Sequence, residues 1–117
     1  MGNVKFNLSD VEKTFIDCLY LPEYAGGLTE TVKAFKMKMD FERVYGYALR
    51  MESPSLLKKL GYLLDALNIE ENITKKLLAK VSGGYCLLDT VGKKGGTVNK
   101  KWRVIENIGL KDLKAEL

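Results

Sequence analysis

Val4, Phe6 and Leu8 alternate with Lys5 and Asn7, and this period-two pattern predicts a short opening strand. The period then changes. Val11, Phe15, Cys18 and Leu19 recur at helical spacing, with Asp10, Glu12, Lys13 and Asp17 mostly off that face, which predicts a helix over about 10–20. Ser9 and Glu12 have the spacing of a capping box, in which each side chain satisfies a backbone N–H that the first turn leaves unpaired. Pro22 lacks an N–H and crowds the preceding turn, so it stops this helix, and Gly26 and Gly27 allow the chain to turn back. A second helix is predicted over about 30–39, with Thr29 as its cap and Val32, Phe35 and Met39 inward. Asp40 caps a third, where Phe41, Val44, Tyr45 and Ala48 form a buried stripe.

Ser53 followed by Pro54 is a strong helix start, because proline at the first helical position gives up only an N–H that had no partner. Leu56, Leu60, Leu63, Leu64 and Leu67 make the cleanest apolar face in the chain, so this fourth helix is the expected centre of the core. Gly61 in its middle costs about 1 kcal/mol against alanine, which points to a neighbouring backbone or aromatic ring approaching there. A fifth helix is predicted over 73–81, capped by Asn72 and stopped by Gly83 and Gly84. Residues 85–90 and 101–107 read as two strands joined by the Gly- and Lys-rich stretch 91–100. Leu110, Leu113 and Leu117 are spaced for one or two closing helical turns. The expected fold is therefore α+β, mainly helical with about five helices and a small antiparallel sheet, in a single domain.

Three blocks along the chain resemble, in the same order, the C-terminal domain of the AbiEi antitoxins, a family of abortive-infection transcriptional regulators from type IV toxin-antitoxin systems. The first is the helix pattern E-x-T-x-x-D followed by P-x-x-x-G-G, matched by Glu12, Thr14, Asp17, Pro22, Gly26 and Gly27. The second, close to R-L-G-Y-L-L-E, is matched by Lys59, Leu60, Gly61, Tyr62, Leu63, Leu64 and Asp65, with lysine and aspartate in place of the usual arginine and glutamate. The third is an N-x-x-W strand ending in asparagine, matched by Asn99, Trp102 and Asn107. The resemblance implies an antitoxin domain that counteracts a nucleotidyltransferase-like toxin, without requiring a stable complex with it, and that has no catalysis of its own. Family members carry an N-terminal winged helix-turn-helix that binds the operator. Nothing of that length precedes Ser9, so the chain is expected to be either an excised domain or a shorter relative, and DNA is expected to be engaged only through such a head.

The family-motif positions are expected to be structural. Asp17 lies where the 22–27 turn folds back and is expected to accept its N–H groups, a direct functional role being the alternative. Trp102 and Asn107 are expected to serve as a packed aromatic and a strand-end hydrogen bond.

With 46% apolar and 29% charged residues the chain has the balance of a globular domain. It has no apolar run of about 18 residues, so no membrane partner is expected, and it is expected to be cytoplasmic. The lack of histidine removes the commonest general base and metal ligand, and two cysteines are too few for a zinc site without clustered carboxylates; no cofactor or metal is expected. Cys18 and Cys86 suit two reduced, buried thiols, with a disulfide as the alternative.

Charge is uneven. Residues 1–30 hold five acids against two lysines, whereas 72–107 hold eight bases against two acids. Lys75, Lys76, Lys80, Lys93, Lys94, Lys100, Lys101 and Arg103 are thus the candidate interaction surface, for nucleic acid or an acidic protein. The same pattern also describes a solvated helix face and a charged loop tip. The glycines flanking Lys93 and Lys94 lack Walker spacing, and loop flexibility explains them better than a nucleotide site. The rival to the antitoxin reading is a nucleic-acid-binding accessory module that uses this basic half.

Overall fold

The structure, a computed structural model, describes residues 11–20, 31–36, 38–88 and 96–108. Among these it is α+β, with four α-helices and a three-stranded mixed sheet. In chain order they are α1 (Val11–Tyr20), a 3₁₀ turn (Lys33–Lys36), α2 (Phe41–Arg50), α3 (Pro54–Ala66), α4 (Glu71–Leu78), β1 (Cys86–Leu87), β2 (Thr97–Asn99) and β3 (Val104–Glu106). The opening strand, Ser9, the 22–27 turn, Lys93, Lys94 and the closing turns lie outside the described residues.

Helix α3 organises the rest. Ser53 is extended and its Oγ accepts the Leu56 N–H at 3.2 Å, while Pro54 occupies the first helical position. Leu56, Leu60, Leu63 and Leu64 are fully buried, and burial continues around the helix to Lys58, Lys59, Gly61 and Tyr62. A helix covered on so many sides must be central, and α1, α2, α4 and β3 all contact it. Each leucine removed from water there contributes about 1.5–3 kcal/mol. Phe15, Ile16 and Leu19 of α1, Val44 and Ala48 of α2, and Ile73 and Leu77 of α4 complete the same core.

Helix α2 starts as its sequence predicts, with Asp40 Oδ1 accepting the Glu42 N–H at 3.0 Å. The carboxylate of Glu12 is drawn across from α1 to this start, where Oε2 accepts the Asp40 N–H at 2.8 Å. Glu12 thereby joins two helices.

Three expectations are corrected. The predicted second helix is helical at Thr31 and Val32 and tightens to a 3₁₀ turn over Lys33–Lys36, so the described residues hold four α-helices. Helix α4 spans Glu71–Leu78 rather than 73–81, and Asn72 is inside it. Its entry is set by the backbone: Asn68 (φ 56°) and Glu70 (φ 49°) are left-handed, and the Thr74 hydroxyl donates to the Glu70 carbonyl at 3.1 Å. The sheet, finally, is mixed. β3 pairs antiparallel with β2, with Val98 opposite Ile105, and parallel with β1, with Cys86 opposite Val104. The Gly- and Lys-rich stretch therefore supplies a strand of its own. The chain between β1 and β3 is long enough for the crossover that a parallel pair requires.

Cys18 and Cys86 are free thiols; Cys18 is buried and Cys86 only half-buried. No helix among the described residues is long and apolar enough to cross a membrane.

Candidate functional site

Residues far apart in sequence meet on two faces of α3. Gly61 and Asp65, one turn apart, hold the same aromatic ring. A side chain at Gly61 would overlap the six-membered ring of Trp102, and Asp65 Oδ2 accepts the Trp102 indole N–H at 2.9 Å. The indole is fixed from its own backbone as well, because the Trp102 N–H donates to Asn99 Oδ1 at 3.0 Å. This bond explains the N-x-x-W spacing: an asparagine three residues back closes the turn that aims the ring. Tyr62 Oη donates to Glu106 Oε2 at 2.6 Å, and burial, followed by that carboxylate, raises the tyrosine pKa so that the phenol stays a donor. Lys59 is buried and its Nζ donates to the Leu19 carbonyl at 3.2 Å, capping the last turn of α1. Lys58, equally buried, donates to the Gly84 carbonyl, and Arg103 Nη1 reaches the neighbouring Gly83 carbonyl at 2.6 Å.

The other motif positions are plainer. Asp17 Oδ2 accepts from Lys13 at 3.2 Å on the half-exposed side of α1, and Thr14 is half-buried there. The Asn107 N–H donates to the Ile105 carbonyl at 2.9 Å, closing β3. Pro22, Gly26 and Gly27 lie outside the described residues.

Asp65 carries the junction's pH dependence. The indole N–H of Trp102 lowers its pKa most; burial opposes this, and the Lys101 ammonium at 2.9 Å lowers it further. A carboxyl with a depressed folded pKa adds stability above its unfolded value of about 3.9 and loses it as pH falls through the folded value. Asp65→Asn is therefore expected to melt below the wild type at neutral pH. The gap should close under acid. Melting curves across pH check this, and a gap that persists at low pH would contradict it.

Four of the described members of the predicted basic surface are each held by a neighbour. Lys75 pairs with Glu71 at 3.5 Å, Lys76 with Glu42 at 3.7 Å and Lys101 with Asp65, while Arg103 is turned onto Gly83. Lys80 and Lys100 are exposed at separate places in the chain. Exposed pairs of this kind contribute about 0–1 kcal/mol each, but they do neutralise charge that a polyanion would need.

A site that charge counting along the chain missed lies on α2. Glu42, Arg43, Gly46, Tyr47 and Arg50 line a cleft of about 490 Å³. Arg43 Nη2 donates to Tyr47 Oη at 2.9 Å, and the guanidinium carbons of Arg43 and Arg50 lie 5.7 and 5.5 Å from the Tyr47 ring centre. Arg43 Nε is also 3.8 Å from Glu12. The signal was present in the sequence as R-x-x-G-Y-x-x-R, an i, i+3, i+4, i+7 stripe on the face opposite Val44 and Ala48. Compared with protein-family models, curated proteins and solved structures, the chain matches none.

Proposed function

We propose that this chain is the antitoxin domain of an AbiEi-like transcriptional regulator, counteracting a nucleotidyltransferase-like toxin in the cytoplasm and performing no catalysis itself. One observation carries the reading. The three blocks of the resemblance are separated in sequence, yet residues of the second block touch the other two: Lys59 reaches Leu19 beside the first, and Gly61, Asp65 and Tyr62 meet Trp102 and Glu106 of the third. Blocks that recur together because they build one junction are expected to meet in this way. Lys59, Tyr62, Asp65 and Trp102 all have partners inside the fold, which suits a scaffold whose outer faces make the functional contacts.

Operator DNA is engaged, in this reading, by a separate winged-helix head. The rival accessory nucleic-acid module on the basic C-terminal half has less support, since Lys75, Lys76 and Lys101 are neutralised by neighbouring acids.

Growth decides between them. A nucleotidyltransferase-like toxin paired with this regulator is expected to arrest cells when induced, and co-expression of the full-length regulator is expected to restore growth without co-purification of the two proteins. Arrest that persists despite folded, expressed regulator would reject the proposal.

A further inference from the structure

The α2 cleft holds a cation, Arg50, that has no acidic partner among the described residues. The 300 Å³ hollow between α3 and α4 presents Asp65 and Glu71, but each already holds a lysine. In the α2 cleft, Glu42 is neutralised by Lys76, which also lies 5.6 Å from the Tyr45 ring centre. Arg43 is oriented by Tyr47 and Glu12. Arg50 is exposed, and its contact among the described residues is the Tyr47 ring.

We propose that this cleft binds the phosphate backbone of a single-stranded nucleic acid, with Arg50 and Arg43 gripping phosphate oxygens and Gly46 as the floor. Four features point there. Guanidinium forks match phosphate oxygens in geometry, and Arg43 is held in place before a ligand arrives, which lowers the entropic cost of binding. The two arginines stand seven residues apart on a helix, about 10 Å along its axis, so they address successive positions on an extended anion rather than one ion. Glu42, the acid that lines the cleft, is met by Lys76 from α4, so it does not stand unopposed against a polyanion. A built Cβ at Gly46 meets nothing within 4 Å, so the cleft is open where a backbone would lie. A net charge of +4 adds long-range attraction for the same class of ligand. The proposal is independent of antitoxicity, and either can fail alone.

The test is fluorescence anisotropy of the full chain with a labelled oligothymidylate. Wild-type binding is expected to weaken steeply between about 50 and about 200 mM salt. Arg50→Gln is expected to weaken it about tenfold and to reduce the salt slope by about one, with Arg50→Lys recovering part of the loss. Gly46→Gln is the discriminating variant. Glutamine is a better helix former than glycine and its Cβ meets nothing within 4 Å, so the protein should melt about 5 °C higher while binding is blocked. Three results would overturn the proposal: no wild-type binding, binding unaffected by both Arg50→Gln and Gly46→Gln, or preferential binding of an oligoglutamate peptide, which would make the cleft a protein-docking site instead.

Discussion

Trp102→Ala is expected to remove about 3–5 kcal/mol of stability, the largest loss expected from a single side chain among the described residues. The indole is 1% exposed, lies against the backbone of α3 at Gly61, and bonds through its N–H to Asp65. Truncation therefore opens a cavity in the central layer and also leaves a part-buried carboxylate without its best donor. A domain of this size has a total stability of about 5–15 kcal/mol, so the variant should be partly unfolded at physiological temperature or melt about 15 °C lower. Trp102→Phe separates the two effects: it keeps most of the packing and forfeits the indole bond, for a loss nearer 1–2 kcal/mol. Melting of Trp102→Ala within about 5 °C of the wild type would mean that the ring does not anchor the sheet to α3.

Gly61→Ala is the second large effect, and its sign runs against helix propensity. In a solvated helix the change would stabilise by about 1 kcal/mol. Here the new Cβ would stand within 3.0 Å of three atoms of the Trp102 ring, a separation that real Cβ atoms essentially never show. The ring has little freedom to retreat, since Asn99 fixes its backbone and Asp65 its far edge. Overpacking of a well-fitted core costs about 1–3 kcal/mol, and this site should fall at or above the upper end, for a net loss of about 2 kcal/mol and about 8 °C in Tm. The double variant supplies the check. With Trp102 already alanine there is nothing to overlap, and Gly61→Ala should become neutral or stabilising. Equal losses in both backgrounds would show that the glycine is needed for some other reason.

The same two residues show how far the sequence could be read. A glycine in the middle of the best leucine stripe is locally unfavourable, and that conflict by itself announced a close neighbour. That the neighbour is Trp102 was not visible, because forty-one positions separate the two and only the chain's return as β3 brings them together. The caps at Asp40 and Ser53 were legible for the opposite reason: their bonds run two or three residues along the chain. The entry to α4 was misplaced because left-handed Asn68 and Glu70 reposition it, and no local preference marks glutamate for that conformation. The candidate site divides in the same way. Eight basic residues grouped along the chain suggested one surface, whereas Glu71, Glu42 and Asp65 meet three of them individually. The Arg43–Arg50 stripe was overlooked because two arginines seven apart hardly change a running charge count.

Hydrophobic periodicity and capping chemistry alone were enough to specify an α+β chain built on the helix that begins at Ser53, since each rests on neighbours within one or two turns. Tertiary structure decided the parallel pairing of β1 with β3, the burial of Lys58 and Lys59 onto backbone carbonyls, and which cations keep their charge available. Those outcomes depend on contacts between distant segments, where the energy of a pair is set by distance and desolvation rather than by position in the chain.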